Sequence, residues 1–139
     1  MKILNDDVMK IKRLSLLLLV ASLAVACGKE DYRDAWVGDY NYSCHYYSWN
    51  PIGSGADYVT TGFLRVDYEG DSCVRISLAD DSKNWLCNVD ASGSLTIIGN
   101  EYRRFHGYFG APDSLVFHCS NFSPGAGSAW DYQCQKSKK

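Results

Sequence analysis

From Trp36 onward, apolar and polar residues alternate in short runs, broken by glycine, asparagine or aspartate roughly every 8–15 residues. Alternation with a period of two is the mark of strands buried on one face only. It predicts eight strands: Trp36–Trp49, Tyr58–Tyr68, Ser72–Leu78, Asn84–Val89, Ser94–Ile98, Tyr102–Phe109, Ser114–Ser120 and Ala129–Gln135. No window carries a helical period, no repeat is present, and no long linker divides the chain. On the first strand, Trp36, Gly38, Tyr40, Tyr42, Cys44 and Tyr46 share one face, and Val37, Asp39, Asn41, Ser43 and His45 share the other.

Turns test the registers, because a slip of one residue turns every side chain over. Across Ala111-Pro112-Asp113, pairing Gly110 with Ser114 sets Phe109 opposite Leu115, Gly107 opposite Phe117 and Phe105 opposite Cys119. The other face then pairs Tyr108 with Val116 and His106 with His118. A three-residue loop at Gly99-Asn100-Glu101 places Leu95 beside Phe105 and Ile97 beside Arg103. Eight sequential antiparallel strands with short turns most simply close into an up-and-down barrel, which removes the sheet edges. A two-sheet sandwich is the alternative. The β domain is expected to cover residues 36–139.

The segment before it reads as an export signal. Lys10, Lys12 and Arg13 form a basic region, and Leu14 to Ala26 follow as 13 apolar or small residues. As a helix that run is about 20 Å long, short of a hydrocarbon core of about 30 Å. Residues 1–26 are therefore expected to be a signal peptide. Asp6 and Asp7 are foreign to such a basic region, so Met9 is an alternative start.

Ala24-Val25-Ala26-Cys27 resembles the lipobox of bacterial lipoproteins, with Leu23 one place earlier than the usual leucine. The resemblance implies that Cys27 is acylated and becomes the first mature residue. Gly28-Lys29-Glu30-Asp31 resembles the lysine-plus-two-acids export tag of Bacteroidota lipoproteins. Through Lys29, Glu30 and Asp31, it implies lipid anchoring on the outer membrane, facing the cell exterior. Residues 27–35 would then be anchor and tether, with the stretch after Cys27 reaching at most about 28 Å. Trp36-Val37-Gly38-Asp39-Tyr40 resembles the first-strand entry of lipocalin-like lipoproteins. The glycine–any–tryptophan order of true lipocalins is absent, so their ligand classes do not carry over. Asp113-Ser114-Leu115 resembles the O-glycosylation motif of Bacteroidota exported proteins, which marks Ser114.

Composition narrows the function. The chain has 139 residues and a net charge of −2, which becomes −4 without residues 1–27 because four basic and two acidic groups go with them. Such a balance argues against nucleic acid, whose phosphates demand a basic face. All 19 aromatic residues and five of the six cysteines lie beyond residue 27. Disulfides are expected in an exported chain. The predicted register sets Cys73 opposite Cys87. Pairing Phe117 with Lys136 across a Pro124–Gly127 loop sets Cys119 opposite Cys134, for which Cys44 competes, so a second bond is drawn from Cys44, Cys119 and Cys134. Closing the 15-residue loop between the first pair would be worth about 3 kcal/mol.

Candidate chemistry is sparse. His106 and His118 are neighbours, but two imidazoles are too few for a structural zinc site, and nothing in the sequence brings His45 to them. No metal or other cofactor is expected. No G-x-S-x-G elbow, H-E-x-x-H or phosphate loop is present, so the chain does not read as an enzyme. A non-catalytic binding module remains. The preferred reading is a surface that binds a protein or glycan partner, with Trp49, Pro51 and Ile52 of the Ser48–Asp57 loop as contacts. One alternative is a small apolar or aromatic ligand inside the barrel. Tyr40, Tyr42, Tyr46, Leu64, Val66, Phe105, Phe109, Phe117 and Tyr132 would line that site, with Arg103 as polar handle. Another is an accessory subunit of an enzyme.

Overall fold

A computed structural model describes residues 30–111 and 113–138. The residues of the signal segment, Cys27 and Lys29 lie outside the described residues. A 3₁₀ turn at Tyr32–Ala35 leads into eight strands. They are β1 (Gly38–Trp49), β2 (Asp57–Glu69), β3 (Cys73–Leu78), β4 (Asn84–Val89), β5 (Ser94–Ile97), β6 (Arg104–Gly110), β7 (Ser114–Ser123) and β8 (Ala126–Lys136). Each pairs antiparallel with the next, and β8 pairs back onto β1, giving a closed, lipocalin-like barrel and not a sandwich.

The inward face of β1 is the expected one, with Tyr40 and Cys44 buried. Large aromatic rings meet one another across the barrel. Trp85 packs edge-on to Phe117 and Tyr132 at 5.0 and 5.3 Å, and Phe117 stacks on Tyr132 at 4.4 Å. Leu64, Val66, Val74, Ile76 and Leu115 fill the space around them with almost no exposure. Gly107 is the gap that admits Phe117, since a Cβ there would stand 2.6 Å from the Phe117 Cβ.

One end of the barrel is shut. Trp36 lies flat on Phe109, centroids 5.1 Å apart, and its carbonyl accepts the Tyr40 hydroxyl at 2.7 Å. Arg33 is buried, and its Nη1 donates to the carbonyls of Gly70 and Cys73, each at 2.8 Å. Tyr32 donates to the Val89 carbonyl, and Lys136 Nζ donates to that of Ala35. Residues 32–35, expected to lie outside the β domain, therefore belong to the folded barrel, which the alternation could not reveal because a 3₁₀ turn has no period of two.

At the other end the strands are unequal. β1 and β2 have 12 and 13 residues, and β7 and β8 have 10 and 11, whereas β3 to β6 have between 4 and 7. The hairpins β1–β2 and β7–β8 stand above the short strands as a four-stranded overhang. β2 pairs with β3 only from Leu64 onward, while its first half pairs with β1 alone.

Three registers differ from expectation. On β3–β4, Cys73 pairs with Asn88 and Val74 with Cys87, one residue off. Val74, Ile76 and Leu78 take the core, which turns Cys73 outward. On β7–β8, the turn tightens to Pro124-Gly125, with Gly125 at φ 89°, and sets Leu115 opposite Cys134 and Cys119 opposite Trp130. On β5–β6 the connection is longer than three residues, so Leu95 pairs with Gly107 and keeps its face. The β6–β7 register matches the expected one at every pair.

Candidate functional site

The overhang creates the open end of the barrel. Its inner wall carries Tyr42, Tyr46, Tyr58 and Trp130, with Tyr46 packed between Tyr58 and Trp130 at 4.9 and 5.2 Å. Lys83, from the β3–β4 turn, holds its Nζ 4.2 Å above the Trp130 ring. The space they enclose is about 220 Å³. Its floor is Cys44 and Tyr132, beneath which the interior is packed.

The residues expected to line a cavity therefore separate into two groups. Tyr40, Leu64, Val66, Phe109 and Phe117 are buried in packing, and Phe105 stacks on Phe117 at 6.0 Å. Tyr42, Tyr46 and Tyr132 reach the open end. Arg103 is not a polar handle inside the barrel. It is exposed, precedes β6, and donates its backbone N–H to Asn121 Oδ1 at 3.1 Å. The half-buried Tyr102 beside it packs edge-on to Trp130 at 6.1 Å.

The hairpin tips form an apolar crest. Trp49 and Phe122 lie 4.9 Å apart, above Gly127, their partner in the ladder. The ideal Cβ of Gly125 would be in ordinary contact with the Pro51 ring. Ile52 is 97% exposed, and Trp49 39%. No charged side chain occurs in residues 48–56 or 120–130. The surface contacts expected at Trp49, Pro51 and Ile52 thus share one tip, and Phe122 joins them from a hairpin that sequence reasoning did not connect to it.

The outer wall holds a relationship that only barrel closure creates. His45 pairs with Asp131, Asp131 with His118, and His118 with His106. All four side chains stand in one row across β1, β8, β7 and β6, lining a groove of about 350 Å³. His118 Nδ1 is 2.5 Å from Asp131 Oδ1, and His45 Nε2 is 2.7 Å from Asp57 Oδ1. The His106 and His118 rings stack at 5.0 Å. Among the described residues, no three metal-ligating side chains converge to hold an ion.

The expected disulfides do not form. Cys44, Cys73, Cys87, Cys119 and Cys134 are all free thiols. Each inward cysteine faces a larger side chain: Cys44 faces Tyr132, Cys119 faces Trp130, Cys134 faces Tyr42 and Cys87 faces Val74. They act as small core hydrophobes, and burial pushes the thiols of Cys87, Cys119 and Cys134 up to about 12. Cys73 instead donates its thiol to Asn88 Oδ1 at 3.1 Å on the outside. Ser114, the expected glycosylation position, is half-buried at the start of β7, at the shut end.

No protein-family model matches the chain, and neither a curated protein nor a solved structure matches it. The functional reading rests on the chain's own geometry.

Proposed function

We propose that the chain is a lipid-anchored protein of the outer membrane, facing the cell exterior, that binds a protein partner through its crest and performs no catalysis. The observation that carries this reading is the opposition of the two ends. The chain enters the barrel at Tyr32, five residues after Cys27, at the end closed by Arg33. Trp49, Ile52 and Phe122 lie at the opposite end. Strands of this length, tilted as barrels require, put about 30 Å between the ends. An anchor at Cys27 would hold the shut end against the membrane and present the crest away from it.

The chemistry of the crest favours protein over glycan. It is uncharged, aromatic and aliphatic, like the core of a protein interface. A glycan contact would call for convergent hydrogen-bonding groups, whereas Ser48, Asn50, Asn121 and Ser123 beside the crest rings already bond to the chain's own backbone. The interior is a poor competitor, because about 220 Å³ falls below the roughly 300 Å³ at which ligand pockets begin.

Sedimentation of the lipidated full-length chain, extracted from its membrane in mild detergent, tests the reading. The wild type should sediment as a complex heavier than chain plus micelle. The Trp49→Ser/Ile52→Ser variant should sediment as the chain alone, with unchanged far-UV circular dichroism. Identical sedimentation of the two would overturn the proposal.

A further inference from the structure

We infer that the free edge of β2, from Asp57 to Thr61, is a docking strand to which an extended segment of the partner protein adds antiparallel or parallel main-chain hydrogen bonds. The inference rests on the proposed protein-binding reading and specifies how the partner is held.

Hydrogen-bond direction identifies the free groups. In a strand, the N–H and C=O of one residue point to the same side, and successive residues alternate. The Ala56 carbonyl accepts from Ser48 N–H at 2.8 Å, so even-numbered residues of this stretch face β1. The Phe63 carbonyl accepts from Ala79 N–H at 2.9 Å, so odd-numbered residues face the β3 side. Pairing with β3 begins only at Leu64. The N–H groups of Val59 and Thr61 and the carbonyls of Asp57, Val59 and Thr61 therefore point out of the sheet, with no strand beside them among the described residues.

Beyond Asp57, whose carboxylate lies 2.7 Å from His45 Nε2, the features that usually blunt an exposed edge are missing here. The stretch 57–63 contains no proline, lysine or arginine, and its ladder to β1 runs without a bulge. Val59-Thr60-Thr61 is a β-branched run, which holds the extended conformation in advance. There is also room. A cleft of about 250 Å³ lies between Thr61, Gly62 and Phe63 on one side and Leu78, Ala79 and Asp80 on the other. It adjoins the open end of the barrel, since Tyr42, Leu78 and Asp80 line both spaces.

Main-chain groups in a row recognise a main chain, so the occupant is an extended peptide. Its side chains would alternate between two environments. One set would enter the aromatic mouth beside Tyr58 and Tyr46, and the other would lie on Val59 and Phe63, which are 62% and 61% exposed. The Trp49 and Ile52 crest lies just beyond the same hairpin, so a partner gripping the crest passes this edge.

Proline substitution separates this idea from the reading beneath it. Val59→Pro/Thr61→Pro removes two outward N–H groups and leaves the inward pairs with β1 intact. In the sedimentation experiment this variant should lose at least tenfold of its complex while its circular dichroism stays native. If the wild type forms a complex and this variant forms it equally, edge docking is overturned and the crest reading stands. If the wild type forms none, the crest reading itself fails. A complex containing only a second copy of the chain overturns the inference, because the edge would then serve self-pairing. Hydrogen exchange on the unmutated protein gives an answer that does not depend on the variant folding. The Val59 and Thr61 amides should exchange at least tenfold more slowly in the complex than in the free chain. Unchanged exchange would overturn the inference.

Discussion

Trp49 and Phe122, 73 residues apart in sequence, close over Gly127 with ring centroids 4.9 Å apart. This contact ties the β1–β2 tip to the β7–β8 tip and makes the crest one surface. It exists because position 127 has no side chain: a Cβ there would stand 2.5 Å from Trp49 Cζ2 and 2.6 Å from Phe122 Cδ1.

Gly127→Ala should therefore part the two rings. Overpacking of this kind costs about 1–3 kcal/mol. Urea unfolding should show that loss, and the tryptophan emission of the folded protein should shift as Trp49 moves. An unchanged midpoint and spectrum would mean that the tips are not clamped together.

At the shut end, Arg33→Met should destabilise the barrel by about 3 kcal/mol. It removes a buried guanidinium that serves the Gly70 and Cys73 carbonyls, each at 2.8 Å. A loss below about 0.5 kcal/mol in urea unfolding would show that the 3₁₀ turn at Tyr32–Ala35 does not close the barrel.

The thiols give a test by mass. Unfolding without reductant, followed by alkylation, should label all five cysteines of the barrel. In the native protein Cys73 should react first, since it is the only one of the five that is not buried. Reductant should leave the melting temperature unchanged. A Cys73–Cys87 linked peptide would contradict the register in which Val74, not Cys73, pairs with Cys87.

Alkaline pH should unfold the domain. Burial raises Cys87, Cys119 and Cys134 from 9.0 to about 12, and it also raises Tyr40 and Tyr132 above their usual 10.0. Above pH 9 the unfolded chain releases protons that the folded barrel keeps, so stability falls as pH rises. This stability is present in full below pH 9 and is lost through the window from 9 to 12. Each thiol contributes at most about 1.4 kcal/mol per pH unit to the slope. The urea midpoint should be flat from pH 7 to 8.5 and drop by pH 10.5. A flat profile across that range would contradict the buried placement of these groups.

The sequence made legible what short turns and strong alternation control. Gly110 and Ser114 fixed the β6–β7 register, because Phe105, Phe109, Leu115 and Phe117 can share one face in only one way. The pairing of Cys73 with Cys87 failed where a cysteine at each end of a hairpin outweighed Val74, Ile76 and Leu78, whose burial decides the face. The row from His45 to His106 was out of reach for a different reason. The pairing of β1 with β8 is set by packing across the closed barrel, and no turn joins the two strands to announce it. The crest was half legible, since Trp49, Pro51 and Ile52 stand in an evident loop while Phe122 arrives from a hairpin longer than its alternation suggested.

Photo-crosslinking in living cells tests the central claim most directly. A photo-reactive residue placed at Ile52, on the crest, is compared with one at Asp71, an exposed turn position at the shut end. Irradiation should yield a discrete protein adduct from position 52 and none from position 71. Adducts from position 71 alone, lipid adducts from position 52, or no adduct at either would contradict a partner bound at the crest.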